Sequence, residues 1–178
     1  MMSKMFSKLS CHDRASSIAV VDPVQAVAAA ATASIETYGF DAEAVGAAAE
    51  FIHDAWMART PKADYNAAQH VPFSQLPEAE KEKDRAHVRT ILDLLKCRTE
   101  AAKVPDVFGA KAHEAWRGTV PEGPRMRPAA PGSAELVDIN VPWDRLNAQW
   151  KKDNYAAGVA ALTAVVTVAG QVAMTRVR

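Results

Sequence analysis

The sequence lacks the features that identify several common classes of protein. It has two cysteines, Cys11 and Cys97, so no disulfide framework can be inferred and a reducing compartment is expected. Lys and Arg together equal Asp and Glu, giving a formal net charge of zero. A surface that binds nucleic acid needs a basic field, so nucleic acid is not an expected partner. The nearest basic group, Arg117, Arg125 and Arg127, is interpreted as solvated.

Motifs for reactive chemistry are also missing. The chain has no glycine-rich phosphate loop and no nucleophile elbow. No two of its five histidines have the spacing of a helical metal-ligand pair, and His113-Glu114 lacks the second histidine of a zincin signature. Cys11, His12 and Asp13 adjoin in sequence, whereas a catalytic triad is assembled from separate elements. We therefore expect no catalytic residues, no metal and no cofactor.

Alanine is abundant, in runs such as Val27 to Ala31 and Ala47 to Ala49. Because alanine has the highest helix propensity and loses no side-chain entropy, this composition favours closely packed helices over strands. The length of 178 residues fits one compact domain or two small packed ones. The predicted fold class is mainly α, with little or no sheet.

The first half of the chain predicts three helices. Residues 1–22 are predicted to be a flexible start, and Pro23 then opens an alanine-rich helix that runs to about Glu36. Asp41 is the expected N-cap of a second helix through Ala58. A third helix follows Pro77 and ends in a leucine-rich turn. In the second helix, the side chains predicted to face the core are Val45, Ala48, Ala49, Ile52, Ala55 and Trp56.

Two units are predicted, over residues 23–104 and 105–178, separated by a short break near Pro105. The second unit is expected to hold a helix, an extended and exposed linker over residues 119–132, and a long helix from about Asp144. Cys97, at the end of the leucine-rich helix, is predicted to be an inert buried thiol. In the last helix, the apolar stripe predicted from three and four residue steps is Tyr155, Val159, Leu162, Val166, Ala169 and Ala173.

The stretch from Tyr155 to Thr175 carries no charge and is long enough to cross a bilayer. It is rich in Ala, Gly and Thr, so its insertion energy would be marginal, and we expect a buried core helix instead. Residues 1–12 carry Lys4 and Lys8 and no acid, a weak presequence character. The expected location is cytoplasmic, with mitochondria as the alternative.

Two short motifs recur in the same order. His-Asp-Ala-Trp at residues 53–56 returns as His-Glu-Ala-Trp at residues 113–116, and Val-Pro-Phe at residues 71–73 returns as Val-Pro-Trp at residues 141–143. A charged, lysine-bearing turn and a long apolar helix follow each pair. Ordered recurrence predicts two related helix-loop-helix units packed together. The structural anchors of the repeat are predicted to be Pro72, Phe73, His113, Trp116, Pro142 and Trp143.

The first unit resembles the ryanodine receptor repeat. The resemblance is best over residues 50–96, with a weaker second copy over residues 107–166. It implies a helical module that scaffolds or recognises a ligand, nucleotide-like in small microbial members, without catalytic residues. The family's Gly-Trp-Tyr-Gly stretch is missing from the loop. The matching residues are His53, Trp56, His70-Val71-Pro72-Phe73, Leu76-Pro77, Glu80-Lys81 and Asp84-Arg85.

Six residues are candidates for ligand binding. His53 and Trp56 lie one helical turn apart, so their rings either join two helices or contact a ligand. Lys81, Asp84 and Arg85 can form a polar pocket with His70, in which arginine offers a forked donor to a phosphate or carboxylate. The same charges have ordinary helix-surface spacings, so a loop brace is the alternative. The candidates are His53, Trp56, His70, Lys81, Asp84 and Arg85.

Three hypotheses follow from these patterns. The leading one is a non-enzymatic module that binds a protein partner or a small anionic, nucleotide-like ligand, with a homo-oligomer left open. A hydrolase-type enzyme is the second, and it requires His70, Asp84 and Arg85 to converge in a cleft. The third is a subunit tethered to a membrane by the C-terminal helix.

Overall fold

In the computed structural model, residues 23–177 are described, and they form five α-helices and one short β-hairpin. The predicted mainly α class with little sheet is confirmed. The predictions for residues 1–22, including those for Cys11, His12 and Asp13, lie outside the described residues. The elements are α1 Pro23–Tyr38, α2 Ala42–Arg59, α3 Glu78–Lys96, α4 Val104–Arg117, β1 Met126–Pro128, β2 Leu136–Asp138 and α5 Ala148–Arg176.

The helix boundaries follow local capping chemistry. Asp41 has extended backbone, and its side chain accepts a hydrogen bond from the Ala44 N–H at 3.0 Å, as predicted for the N-cap of α2. The break predicted near Pro105 lies just before it, over residues 97–103, and Pro105 itself is in the first turn of α4, where its missing N–H costs no hydrogen bond within the helix. The chain reverses earlier, at Arg98, whose φ of 53° is left-handed.

Helix α5 is the centre of the fold and packs against all four other helices. The predicted stripe is wrong at its start, since Tyr155 and Val159 are 40% and 42% exposed. Four of the seven buried residues are glycine or alanine, and such small side chains allow the neighbouring helices to approach α5 closely. The buried residues of α5 are Gly158, Ala161, Leu162, Ala164, Val165, Val168 and Ala169.

The other helices complete the core. In α2, Ala48, Ala49 and Ile52 are buried as predicted, while Trp56 is only partly buried. The prediction of a buried Cys97 is wrong, because this residue follows the last turn of α3 and is exposed. The largest side chains that are fully buried are Phe108, Ile91, Val88, Val104 and Val165.

The predicted linker over residues 119–132 is partly folded. Its strand β1 pairs antiparallel with β2, and the hairpin is tied to α5 because the Trp150 indole N–H donates to the Pro128 carbonyl at 3.1 Å. The guanidinium of Arg127 lies 4.9 Å from the centroid of Tyr65, so this arginine is not simply solvated as expected. Sequence patterns missed the hairpin because its strands are only three residues long.

By length and composition, α5 is the one helix among residues 23–177 that is long and apolar enough to cross a membrane. The core helix of a globular protein meets the same criteria, and seven residues of α5 are buried against its neighbours.

Candidate functional site

A buried histidine joins helix to loop in both units. The His53 Nε2 atom lies 2.9 Å from the Val71 carbonyl oxygen, and the His113 Nε2 atom lies 2.8 Å from the Val141 carbonyl oxygen. A carbonyl oxygen only accepts, so in each case Nε2 carries the proton and donates it. The Val-Pro-aromatic loop is therefore fixed to the preceding helix in the same way twice.

The rings around each histidine also repeat. His53 lies 5.6 Å from Trp56 and 6.0 Å from Phe73, measured between ring centroids, with tilts of 32° and 53°. His113 lies 5.8 Å from Trp116 and 5.9 Å from Trp143, with tilts of 31° and 54°. The two three-ring clusters therefore have nearly the same centroid distances and ring tilts, as expected of packing anchors.

A lysine completes the repeated contacts of each unit. We call these contacts the frame: the histidine-to-valine hydrogen bond, the three rings and the lysine. The Lys81 ammonium donates to the Ser74 carbonyl at 3.0 Å and lies 5.8 Å from the Phe73 ring centroid. In the second unit, the Lys151 ammonium donates to the Asp144 carbonyl at 3.1 Å and lies 5.8 Å from the Trp143 ring centroid. Lys81, a candidate ligand contact, thus has the same loop-bracing contacts as its counterpart.

The two units carry different residues at positions beside this shared frame, including those of His70, Glu80, Asp84 and His87. When the two units are aligned in sequence by matching Val71 with Val141, several polar or titratable residues of the first unit correspond to different residues in the second. The histidine, ring and lysine contacts of the frame are the same in both units despite these differences. The pairs, first unit before second, are His70 and Asn140, Glu80 and Trp150, Asp84 and Asn154, and His87 and Ala157.

Asp84 faces the free nitrogen of His53, with Oδ2 at 3.4 Å from Nδ1. Since Nε2 of His53 already donates to Val71, a hydrogen bond between Nδ1 and the carboxyl needs a second proton on one of the two groups. Burial raises the pKa of Asp84 to about 6, against the opposing effect of His53. In the second unit, the Asn154 amide donates instead to the Trp150 carbonyl at 2.8 Å.

An open cavity of about 190 Å³ lies over this pair. Its apolar walls are Trp56 and Leu76, and its carboxylates are Glu80 and Asp84. The Lys83 ammonium is bound to Glu80 at 2.6 Å. The remaining residues of the lining are His53, Gln69 and His87.

Two further histidines flank this cavity. Burial first, and Arg59 second, lower the pKa of His87, whose ring meets Phe108 edge-on at 5.3 Å. His70 packs on Trp56 at 4.8 Å, and its buried Nε2 atom has no hydrogen-bond partner within the described part of the chain. His70 therefore supports the wall of the cavity from behind Trp56.

Arg85 lies apart from the other candidates. It pairs with Glu78 and Glu82, and it lines a second cavity of about 470 Å³ beside the start of α2. Successive helix residues are rotated by about 100°, so Asp84 and Arg85 face different sides of α3. His70, Asp84 and Arg85 consequently do not converge in one cleft, which is what the hydrolase hypothesis requires.

Four residues that line the smaller cavity were not among the predicted ligand contacts: Gln69, Glu80, Lys83 and His87. The signal available was spacing, since Glu80, Asp84 and His87 recur at four and three residue steps and thus share one face of α3. Within residues 23–177, no three His, Cys, Asp or Glu side chains are grouped so that they could hold a metal ion.

The chain matches no family model, no curated protein and no solved structure. The resemblance to the ryanodine receptor repeat therefore stays a prediction that rests on the residues quoted for it.

Proposed function

We propose that the chain is a non-enzymatic binding module whose first unit receives a small ligand, or a side chain of a protein partner, in the cavity over His53 and Asp84. The observation that carries this proposal is the contrast between the units. The anchors are duplicated in contact and distance, whereas the acidic groups of the cavity occur in the first unit alone.

A structural role accounts poorly for Asp84. Burying a carboxyl disfavours its charged form, as its raised pKa indicates, and the second unit keeps the same frame with Asn154 in this position. A buried titratable group that the frame does not need is a mark of functional sites. We take the acid to be kept for what it contacts in the cavity.

The chemistry of the lining favours binding over catalysis. The hydrolase hypothesis places a forked arginine donor beside its acid and base, and the lining of this cavity has carboxyl groups, imidazoles and one ammonium but no guanidinium. Arg85, which the hydrolase hypothesis would use to stabilise an anion, lines the other cavity.

The small anionic ligand of the leading sequence hypothesis is better suited to the larger cavity, which is our second candidate. Its volume of about 470 Å³ lies in the range of about 300–1,000 Å³ typical of ligand sites, and it contains Arg85 and Arg89. Both guanidinium groups are already paired with glutamates of α3, so an anion would have to replace those carboxylates.

A fragment screen by heteronuclear NMR tests both candidates with variants of α3. We expect fragments that shift the Trp56 indole signal, and we expect Asp84→Asn to abolish those shifts. Asp93→Asn is the matched control, since Asp93 lies on the same helix with its side chain 74% exposed. Fragments that shift signals around Phe40 and lose them in Arg85→Gln would favour the second candidate. Trp56 shifts that survive Asp84→Asn would contradict the first.

A further inference from the structure

We infer that the cavity over His53 and Asp84 selects a cationic group, an alkylammonium, carried by a small amine or by a lysine side chain of a partner. This inference rests on the proposed binding function and names the chemistry of its ligand. It departs from the anionic ligand that the sequence resemblance implies.

The charges of the lining favour a cation. Two carboxylates face one ammonium, and that ammonium, of Lys83, is bound by Glu80. The Nε2–H group of His53 donates to the Val71 carbonyl, and the Nδ1 atom of His53 lies 3.4 Å from Oδ2 of Asp84. The second carboxyl oxygen of Asp84, Oδ1, has no hydrogen-bond partner among the described residues and is therefore the group left to bind a charge from outside, whereas an anion would meet both carboxylates at close range.

The apolar wall suits the stem of such a ligand. Trp56 and Leu76 line the cavity beside the carboxylates, so methylene groups can lie against them while the ammonium reaches Asp84. Contact of the ammonium with the face of the Trp56 indole would add a cation–π attraction.

The size of the cavity limits the ligand to a small group. About 190 Å³ corresponds to roughly six water-sized volumes at about 30 Å³ each, below the range of about 300–1,000 Å³ seen for whole drug-sized ligands. An alkylammonium of four or five carbons fits this space, and a nucleotide does not. The small volume thus separates an ammonium head from the nucleotide-like ligand.

Binding of a cation should depend on pH in one direction. The groups facing Asp84 are His53 from α2 and Glu80 and Lys83 from α3, with His87 further along the same face. A cation favours the ionised carboxyl, so affinity should be full above about pH 6 and fall about tenfold per pH unit well below it.

Three probes of similar shape test the charge preference by NMR titration of the full chain at pH 7.5. The probes are n-butylammonium, butyrate and 1-butanol. We expect n-butylammonium to shift the Trp56 indole signal in a saturable way, and the other two to bind at least tenfold more weakly. Asp84→Asn should weaken n-butylammonium binding at least tenfold, and Asp93→Asn should leave it unchanged. Glu80→Gln provides a second variant, with a smaller loss expected.

The outcomes separate the inference from the function on which it rests. Butyrate or 1-butanol binding at Trp56 as tightly as n-butylammonium overturns the cation selectivity and leaves the cavity as a binding site. If none of the three probes shifts the Trp56 signal, both the cation selectivity and the proposed binding function of the cavity are overturned. Lysine with blocked backbone termini distinguishes the two sources, since tighter binding than n-butylammonium indicates a partner side chain and equal or weaker binding indicates a free amine.

Discussion

At the scale of single residues, the partly buried carboxyl of Asp84 links the stability of the fold to pH. A free Asp has a pKa of about 3.9, and burial raises that of Asp84 to about 6, so the folded state holds the proton more tightly than the unfolded chain. The resulting stabilisation is fully present below about pH 4 and is lost as pH rises through about 6.

Asp84→Asn should therefore be more stable than the parent chain at pH 7.5, by about 1–2 kcal/mol once solvent around a partly exposed carboxyl is allowed for. The advantage should shrink toward zero near pH 4, where the parent carboxyl is protonated. Urea unfolding at several pH values between 4 and 7.5 measures the difference between the two proteins. A difference that does not change with pH would show that Asp84 titrates normally.

Single residues also show how far the site could be predicted. The spacing of His53 and Trp56 correctly placed their rings side by side, because residues three apart on a helix are neighbours. The bond from His53 to Val71 could not be predicted, since it depends on where a loop carbonyl points after Pro72 turns the chain. Grouping Arg85 with Asp84 failed for a reason visible in the sequence, their rotation about the helix axis.

At the scale of elements, helix positions followed from alanine content, Asp41 and Pro77, while the packing of α5 did not. A stripe of large side chains is a reasonable guide when one helix covers a surface, but α5 is surrounded by four others. Its buried residues do step by three and four, but their face is offset from the predicted one, since Gly158, Ala161 and Val165 lie on it while Tyr155 and Val159 do not. The hairpin was missed as well, because three-residue strands give no measurable alternation.

Two glycines of α5 provide a matched test of this close packing. A Cβ added at Gly158 would lie 2.5 Å from the Pro105 carbonyl oxygen and 2.7 Å from its Cα, whereas one added at Gly170 would meet nothing within 4 Å. Gly158→Ala should destabilise the fold by about 1–3 kcal/mol through overpacking of α4 against α5. Gly170→Ala should stabilise it by up to about 1 kcal/mol, since alanine is the better helix former.

Chemical denaturation of both glycine variants, with the parent chain alongside, measures these changes. Opposite signs are the expected result. Equal effects at the two positions would mean that α4 and α5 do not approach as closely as described, and the central place of α5 in the fold would have to be revised.

At the scale of the whole molecule, the fold accounts for the apolar C-terminal helix without a membrane. Val165 is fully buried at the centre of the helices, while Thr163, two residues earlier, is exposed. A helix whose buried face is the core of the protein cannot leave it for a bilayer without exposing the apolar faces of four neighbours. We therefore expect the full chain to stay in the aqueous phase on detergent partition.

Substitution of the same two residues distinguishes a core helix from a membrane tether. Val165→Asn should lower the free energy of unfolding by about 3–5 kcal/mol, because it places an amide without a partner among apolar side chains. Thr163→Asn should change it by less than about 0.5 kcal/mol, as is usual for surface positions. Both values come from urea unfolding in buffer without detergent. Equal tolerance of Asn at both positions would show that α5 lies outside the core, since only such a helix is indifferent to which face carries the amide. If the chain also needs detergent to stay dissolved, α5 is a membrane anchor.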